Sequence, residues 1–95
     1  MTEASAAQGT AIVGSRVGLH ARTVAIIAQK AASLDAKVRI GRDGRAPVDA
    51  RSPLLLMTLG AEHGDEVLIE ADGPRASEAL AEMLALVQSD LDAGH

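Results

Sequence analysis

The chain contains no phenylalanine, tyrosine, tryptophan or cysteine. Each absence removes a class of function. Without aromatic rings there are no stacking platforms for single-stranded nucleic acid, and 13 acidic against 9 basic residues leave a net charge of −4 instead of a basic field. No nucleic-acid partner is expected on either ground. Without cysteine there is no disulfide, no thiolate nucleophile and no thiolate metal site. No apolar run approaches the ~20 residues that cross a bilayer, so no membrane insertion is expected. The opening stretch MTEASAAQG has an acid at Glu3 and no basic region ahead of an apolar one, unlike a secretory signal. The expectation is a cytoplasmic protein.

What the chain does have is aliphatic bulk. Of its 95 residues 47% are hydrophobic, so its core must be built from Leu, Ile, Val, Met and Ala. That length suits one small domain. We expect a single domain over 1–95 with a folded core from about 10 to 91, a flexible leader in MTEASAAQG and a frayed tail from Ser89 to His95.

Thr10 to Val13, TAIV, is β-prone and is stopped by Gly14 and Ser15. From Ala21 the pattern turns helical, with Val24, Ile27, Ala28, Ala31 and Leu34 at three- and four-residue spacing. Lys37 to Ile40 alternates polar and apolar, as a half-buried strand does. Asp43-Gly44 signals a hairpin turn, and Pro47 in the returning strand predicts an edge position or a bulge. In RSPLLLMTLG, Ser52 reads as an N-cap, Pro53 as the first helical residue and Gly60 as the stop of a short helix. Glu66 to Ala71 is a further strand. Asp72-Gly73-Pro74 opens a last helix with an apolar stripe at Leu80, Met83, Leu84, Val87 and Leu91. The order β-α-β-β-α-β-α predicts a two-layer α+β sandwich, one sheet with its three helices on one face.

One short stretch carries chemistry. In GLHART a histidine stands at the mouth of the first long helix, with Gly18 allowing a tight turn, Leu19 anchoring it and Arg22 in the first helical turn. A lone histidine before a helix is ordinarily a polar boundary residue. His20 has a second reading. The unpaired N–H groups of the first turn carry the positive end of the helix dipole, oppose an imidazolium and favour the neutral, nucleophilic ring. Should that ring take a phosphoryl group, the same N–H groups face an anion and stabilise it by ~1 kcal/mol. Arg22 can add a charge-assisted hydrogen bond. His20, His63 and His95 lack ligand spacing, so neither metal nor cofactor is expected.

GLHAR before a long apolar helix, followed by the Ser-capped short helix of RSPLLLMTLG, resembles the HPr phosphocarriers of the phosphoenolpyruvate-dependent sugar phosphotransferase system (PTS). The resemblance runs from about Thr10 to Leu91. It implies an open-faced β-sandwich with a four-stranded antiparallel sheet and three helices, and a phosphohistidine relay protein, not an enzyme. It implies that His20 accepts a phosphoryl group on its δ1 nitrogen from phosphorylated Enzyme I and passes it to sugar-specific IIA domains, with Arg22 steadying the phosphohistidine. It also implies that Ser52 is the serine modified by an ATP-dependent kinase/phosphorylase in carbon-catabolite regulation, which would add a catabolite regulator to the partners of a monomer. Four positions depart from the family pattern. Thr23 stands where Pro is usual, restoring an N–H and loosening the first turn. Val17 replaces a frequent Ser or Asn, Pro53 an apolar residue, and GRAPVDARS is one residue longer, which implies a bulge at Ala46-Pro47.

Two alternatives stay open on the residues alone. Ser52 is fully explained as a helix cap, and it is equally placed for a regulatory phosphate of about −2 charge beside Leu54, Leu55 and Met57. Those three would form an exposed docking surface if the short helix cannot bury all its apolar residues; ordinary core packing is the rival account. At the level of function, the alternatives to sugar transport are an HPr-like protein that controls a transcription factor or enzyme, and a small-ligand-binding α+β module.

Overall fold

The computed structural model describes residues 6–91. Seven elements follow in the expected order: β1 (Ala6–Ile12), α1 (Ala21–Ser33), β2 (Lys37–Arg42), β3 (Arg45–Asp49), α2 (Pro53–Met57), β4 (Glu66–Asp72) and α3 (Ala76–Gln88). The four strands form one antiparallel sheet in the order β1-β4-β2-β3. The architecture is the open-faced α+β fold with helices on one side.

Alternation along the strands decides which side. Val67, Ile69 and Ala71 of β4 are buried, as are Val38 and Ile40 of β2. Ile69 lies between Gly9 and Ile40 in the pairing, and Ala71 between Ala7 and Val38, so these rows face the helices together. Leu80 and Leu84 of α3 lie over Gly9, within 3.7 Å of where a side chain would begin. From the first helix the predicted stripe Val24, Ile27, Ala28 and Ala31 is buried, and Leu56, Leu59 and Met83 complete the aliphatic core. Each such Leu, Ile or Val contributes roughly 1.5–3 kcal/mol by leaving water.

The hairpin bears out the bulge. Ile40 pairs with Val48 and Arg42 with Arg45, so Ala46 and Pro47 together oppose Gly41 on an edge strand. An edge and a bulge are where a residue without an N–H does least harm.

Three boundaries differ from expectation. The first strand begins at Ala6, not Thr10, so residues 6–9 of the expected leader belong to the sheet. Ala6-Ala7-Gln8-Gly9 has no β-branched residue, and its conformation comes from pairing with β4. The last helix is not opened by Asp72-Gly73-Pro74. Asp72 still pairs with Ala6, and the N-cap is Arg75, in the left-handed region at φ 59°. At the other end Asp90 bonds Arg16 at 2.9 Å and Leu91 packs on the core, so these residues are not frayed. The expected flexibility of residues 1–5 and 92–95 lies outside the described residues.

The end of α3 sits directly on the chain leaving β1. Gly14 N–H donates to the Val87 carbonyl at 3.0 Å, and a Cβ on Gly14 would stand 2.0 Å from the Gln88 carbonyl oxygen. Gly14→Ala must push the helix off the loop. It is expected to cost about 2–3 kcal/mol and lower Tm by roughly 10 °C or more, read by thermal denaturation.

Before α2, Asp49 accepts from Arg51 N–H at 2.9 Å and pairs with its guanidinium, and its carbonyl accepts from Ser52 N–H at 3.1 Å. The side-chain and backbone hydrogen bonds from Arg51 hold the Asp49 carboxyl below its ordinary 3.8. A depressed carboxylate stabilises the fold above the unfolded value, and that contribution disappears as pH falls through the folded one. Asp49→Asn is therefore expected to be slightly less stable than wild type near neutrality. Urea titrations of the two proteins should converge as pH drops below 3.8.

Candidate functional site at the mouth of the first helix

The loop from Val13 to His20 is gripped from two sides. At its start the end of α3 holds Gly14, as above. At its far end Leu19 N–H donates to the Ala61 carbonyl at 3.0 Å. Gly18 makes this approach possible: its φ is 72°, and a Cβ there would lie 2.7 Å from the same Ala61 oxygen. Both the left-handed backbone and the lack of space require glycine. Leu19 is buried in the core, as the sequence suggests, while His20 is exposed.

The turn that receives Leu19 is itself braced. Arg42 donates to the carbonyls of Leu59 and Gly60 at 3.2 and 2.9 Å and pairs with Asp65 at 3.1 Å. Arg45 donates to the Thr58 carbonyl at 3.0 Å. These two hairpin arginines satisfy carbonyls left open beyond α2. Nothing in the sequence pattern singles them out, because their targets lie more than a dozen residues downstream.

His20 is the N-cap of α1, with extended backbone at φ −103° and ψ −179°. Its carbonyl accepts from Val24 N–H at 2.9 Å, starting the helix. The N–H groups of Ala21, Arg22 and Thr23 have no backbone acceptor among the described residues and open toward His20. His20 and Thr23 form a capping box, the His20 side chain paired with Thr23 N–H short of a full cap hydrogen bond and the Thr23 hydroxyl accepting from His20 N–H. Arg22 is exposed and takes part in no ion pair among the described residues. His20 as the N-cap and Arg22 as the second helical residue both stand exposed in the first turn of α1, at the positive end of its dipole.

Thr23 does not loosen the first turn. It is fully buried, and its hydroxyl accepts from His20 N–H at 3.0 Å while donating to the Gly18 carbonyl at 2.7 Å. The buried polar residues among those described are Ser15 and Thr23, which bracket His20 in the chain. A threonine three residues after the cap is the available sequence signal, a variant of the capping box.

Ser52 caps α2, its Oγ accepting from Leu55 N–H at 3.2 Å. It lies at the opposite end of α2 from the turn that seats the His20 loop. The apolar residues of RSPLLLMTLG divide as a short helix must. Leu56 and Leu59 are buried, whereas Leu54, Leu55 and Met57 are 77%, 43% and 41% exposed. Val17, in the His20 loop, is also exposed. The helix that carries these exposed residues packs against α1. His63 stays an exposed residue in a polar turn.

Residues 7–89 match the family described as "PTS HPr component phosphorylation site". The chain is 39% identical over 80 residues to the phosphocarrier protein HPr of Cupriavidus necator, covering 84% of this chain and 89% of that protein. It is 31% identical over 83 residues to the phosphocarrier protein NPr of Escherichia coli, covering 87% and 92%. The crystal structure of an HPr from Bacillus anthracis superposes with a TM-score of 0.82 at 33% identity, covering 88% of this chain and 99% of that one. With the GLHAR helix mouth and the open-faced sandwich already in place, these matches settle the family: the chain belongs to the HPr phosphocarriers of the phosphotransferase system.

Proposed function

We propose that this protein accepts a phosphoryl group on His20 from phosphorylated Enzyme I and delivers it to sugar-specific IIA domains. The observation that carries this reading is an exposed imidazole at a helix mouth, with three N–H groups that have no backbone acceptor among the described residues and an exposed Arg22 in the same helical turn. A ring nitrogen, δ1 by resemblance to the family, donates its lone pair to phosphorus. The donor's P–N bond breaks, and its electron pair returns to the donor imidazole. The incoming charge meets the N–H groups of Ala21, Arg22 and Thr23 and the Arg22 guanidinium. Such a transfer asks little of the carrier beyond an accessible in-line nucleophile and fixed positive charge. The chain is a relay, not a catalyst.

Leu54, Leu55 and Met57 serve in this reading as the apolar contact that both partner proteins press against, in turn. Ser52 is the regulatory position. A phosphate there would set about −2 charge beside that contact and weaken docking, under a serine kinase/phosphorylase and a catabolite regulator. The protein works as a cytoplasmic monomer, a single domain over 1–95.

Incubation with phosphoenolpyruvate and Enzyme I is expected to add one phosphate to wild type, seen by intact mass and lost in acid. His20→Ala should gain none, and Arg22→Ala should load about tenfold more slowly through loss of a charged hydrogen bond. Acid-labile phosphate on His20→Ala would rule the reading out. A loaded protein that transfers to no IIA domain would favour the purely regulatory alternative.

A further inference from the structure

We infer that Thr23 is a positioning residue for His20, holding the acceptor's backbone by a hydrogen-bonded bridge where most of the family relies on a proline. The inference rests on His20 being the phosphoryl acceptor and concerns how that residue is aimed.

A threonine hydroxyl has one proton and two lone pairs, and here all of its usable capacity is directed at the His20 turn. The proton goes to the Gly18 carbonyl at 2.7 Å, and a lone pair receives His20 N–H at 3.0 Å, a donor shared with that same Gly18 carbonyl at 3.0 Å. The His20 carbonyl also lies 3.0 Å from the hydroxyl, a longer and secondary contact for the same proton. The bridge therefore spans residues 18 to 23 and encloses the one exposed residue of the loop that can act as a nucleophile. Its lower anchor is rigid, since Gly18 is seated against Ala61 and Leu19 is bonded to it. Its upper anchor is a fully buried side chain at the third position of α1.

A proline at position 23 would offer neither hydroxyl nor N–H, and would constrain the turn through its fixed φ instead. Threonine keeps the third N–H of the helix mouth as well as the bridge. The chain thus replaces a covalent restraint with a polar one, and buries that polar group completely, which is affordable only because both hydrogen-bonding roles are filled. Placement errors of an ångström at a reacting group cost about a hundredfold in rate, so a loosened His20 backbone should be read first in transfer, not in folding.

The experiment measures the rate at which phosphorylated Enzyme I loads wild type, Thr23→Val, Thr23→Ala and Thr23→Ser, each corrected for its folded fraction from a melting curve. Valine keeps the shape and removes the bridge. Alanine removes it while leaving room for water, and so guards against a valine protein that does not fold. The expected result is loading roughly tenfold slower per folded molecule for Val and Ala, with Ser recovering to within about threefold of wild type. A lowered melting temperature with wild-type loading per folded molecule would show a structural role alone and overturn the inference. Wild type that takes no acid-labile phosphate would overturn the carrier reading and this one with it. In the ring 15N spectrum, the Val and Ala proteins should show broadened or doubled His20 signals and the Ser protein a single set; unchanged, single signals in all three would also count against it.

Discussion

The functional loop depends on two backbone contacts too close to admit a side chain. Gly14 lies under the last carbonyls of α3, and Gly18 lies against the Ala61 carbonyl in a left-handed conformation. Between them the chain has no freedom to drift, and His20 emerges at the start of α1 with its backbone already committed. Each contact joins segments far apart in sequence. The site is therefore assembled by the whole fold: the end of α3, the turn after α2 and the hairpin arginines that brace that turn.

On this frame the chemistry is sparse. The candidate site is an exposed ring, three N–H groups at a helix end and an exposed guanidinium with no ion pair among the described residues, on a helix that packs against the partly apolar surface of α2. In the proposed role, a phosphoryl group on His20 would meet fixed dipoles that need no rearrangement when the charge arrives, which is the economical way to stabilise an anion. The exposure of His20 suits the proposed role, in which the same residue would meet a donor and then an acceptor. Rigid backbone and exposed reactive atom are the two demands, and the loop meets both.

Much of this was legible in the sequence because it rests on local pattern. The spacing of Val24, Ile27, Ala28 and Ala31 gave the buried face of α1, and Pro47 pointed to an edge or a bulge in β3, where the structure has both. Ser52-Pro53 marked the start of α2, and the apolar excess of that helix foretold an exposed side. The misses share one cause. Residues 6–9 are a strand through pairing with β4, Arg75 caps α3 from an unusual backbone region, and Arg42 and Arg45 reach carbonyls on another element. None of these leaves a periodicity. Thr23 is visible as a departure from the family, but the pattern does not show its effect: a residue expected to loosen the turn ties it, because what matters is where the hydroxyl points.

The central claim is that the mouth of α1 receives the phosphate. Amide 1H–15N spectra of the protein before and after phosphorylation test it directly, with hydrogen exchange followed on the same signals. The account predicts that the N–H groups of Ala21, Arg22 and Thr23 shift most and exchange more slowly once His20 is loaded, while the open face of the sheet is silent. Loaded protein whose largest changes fall on the sheet, or which leaves those three amides unmoved, would contradict it.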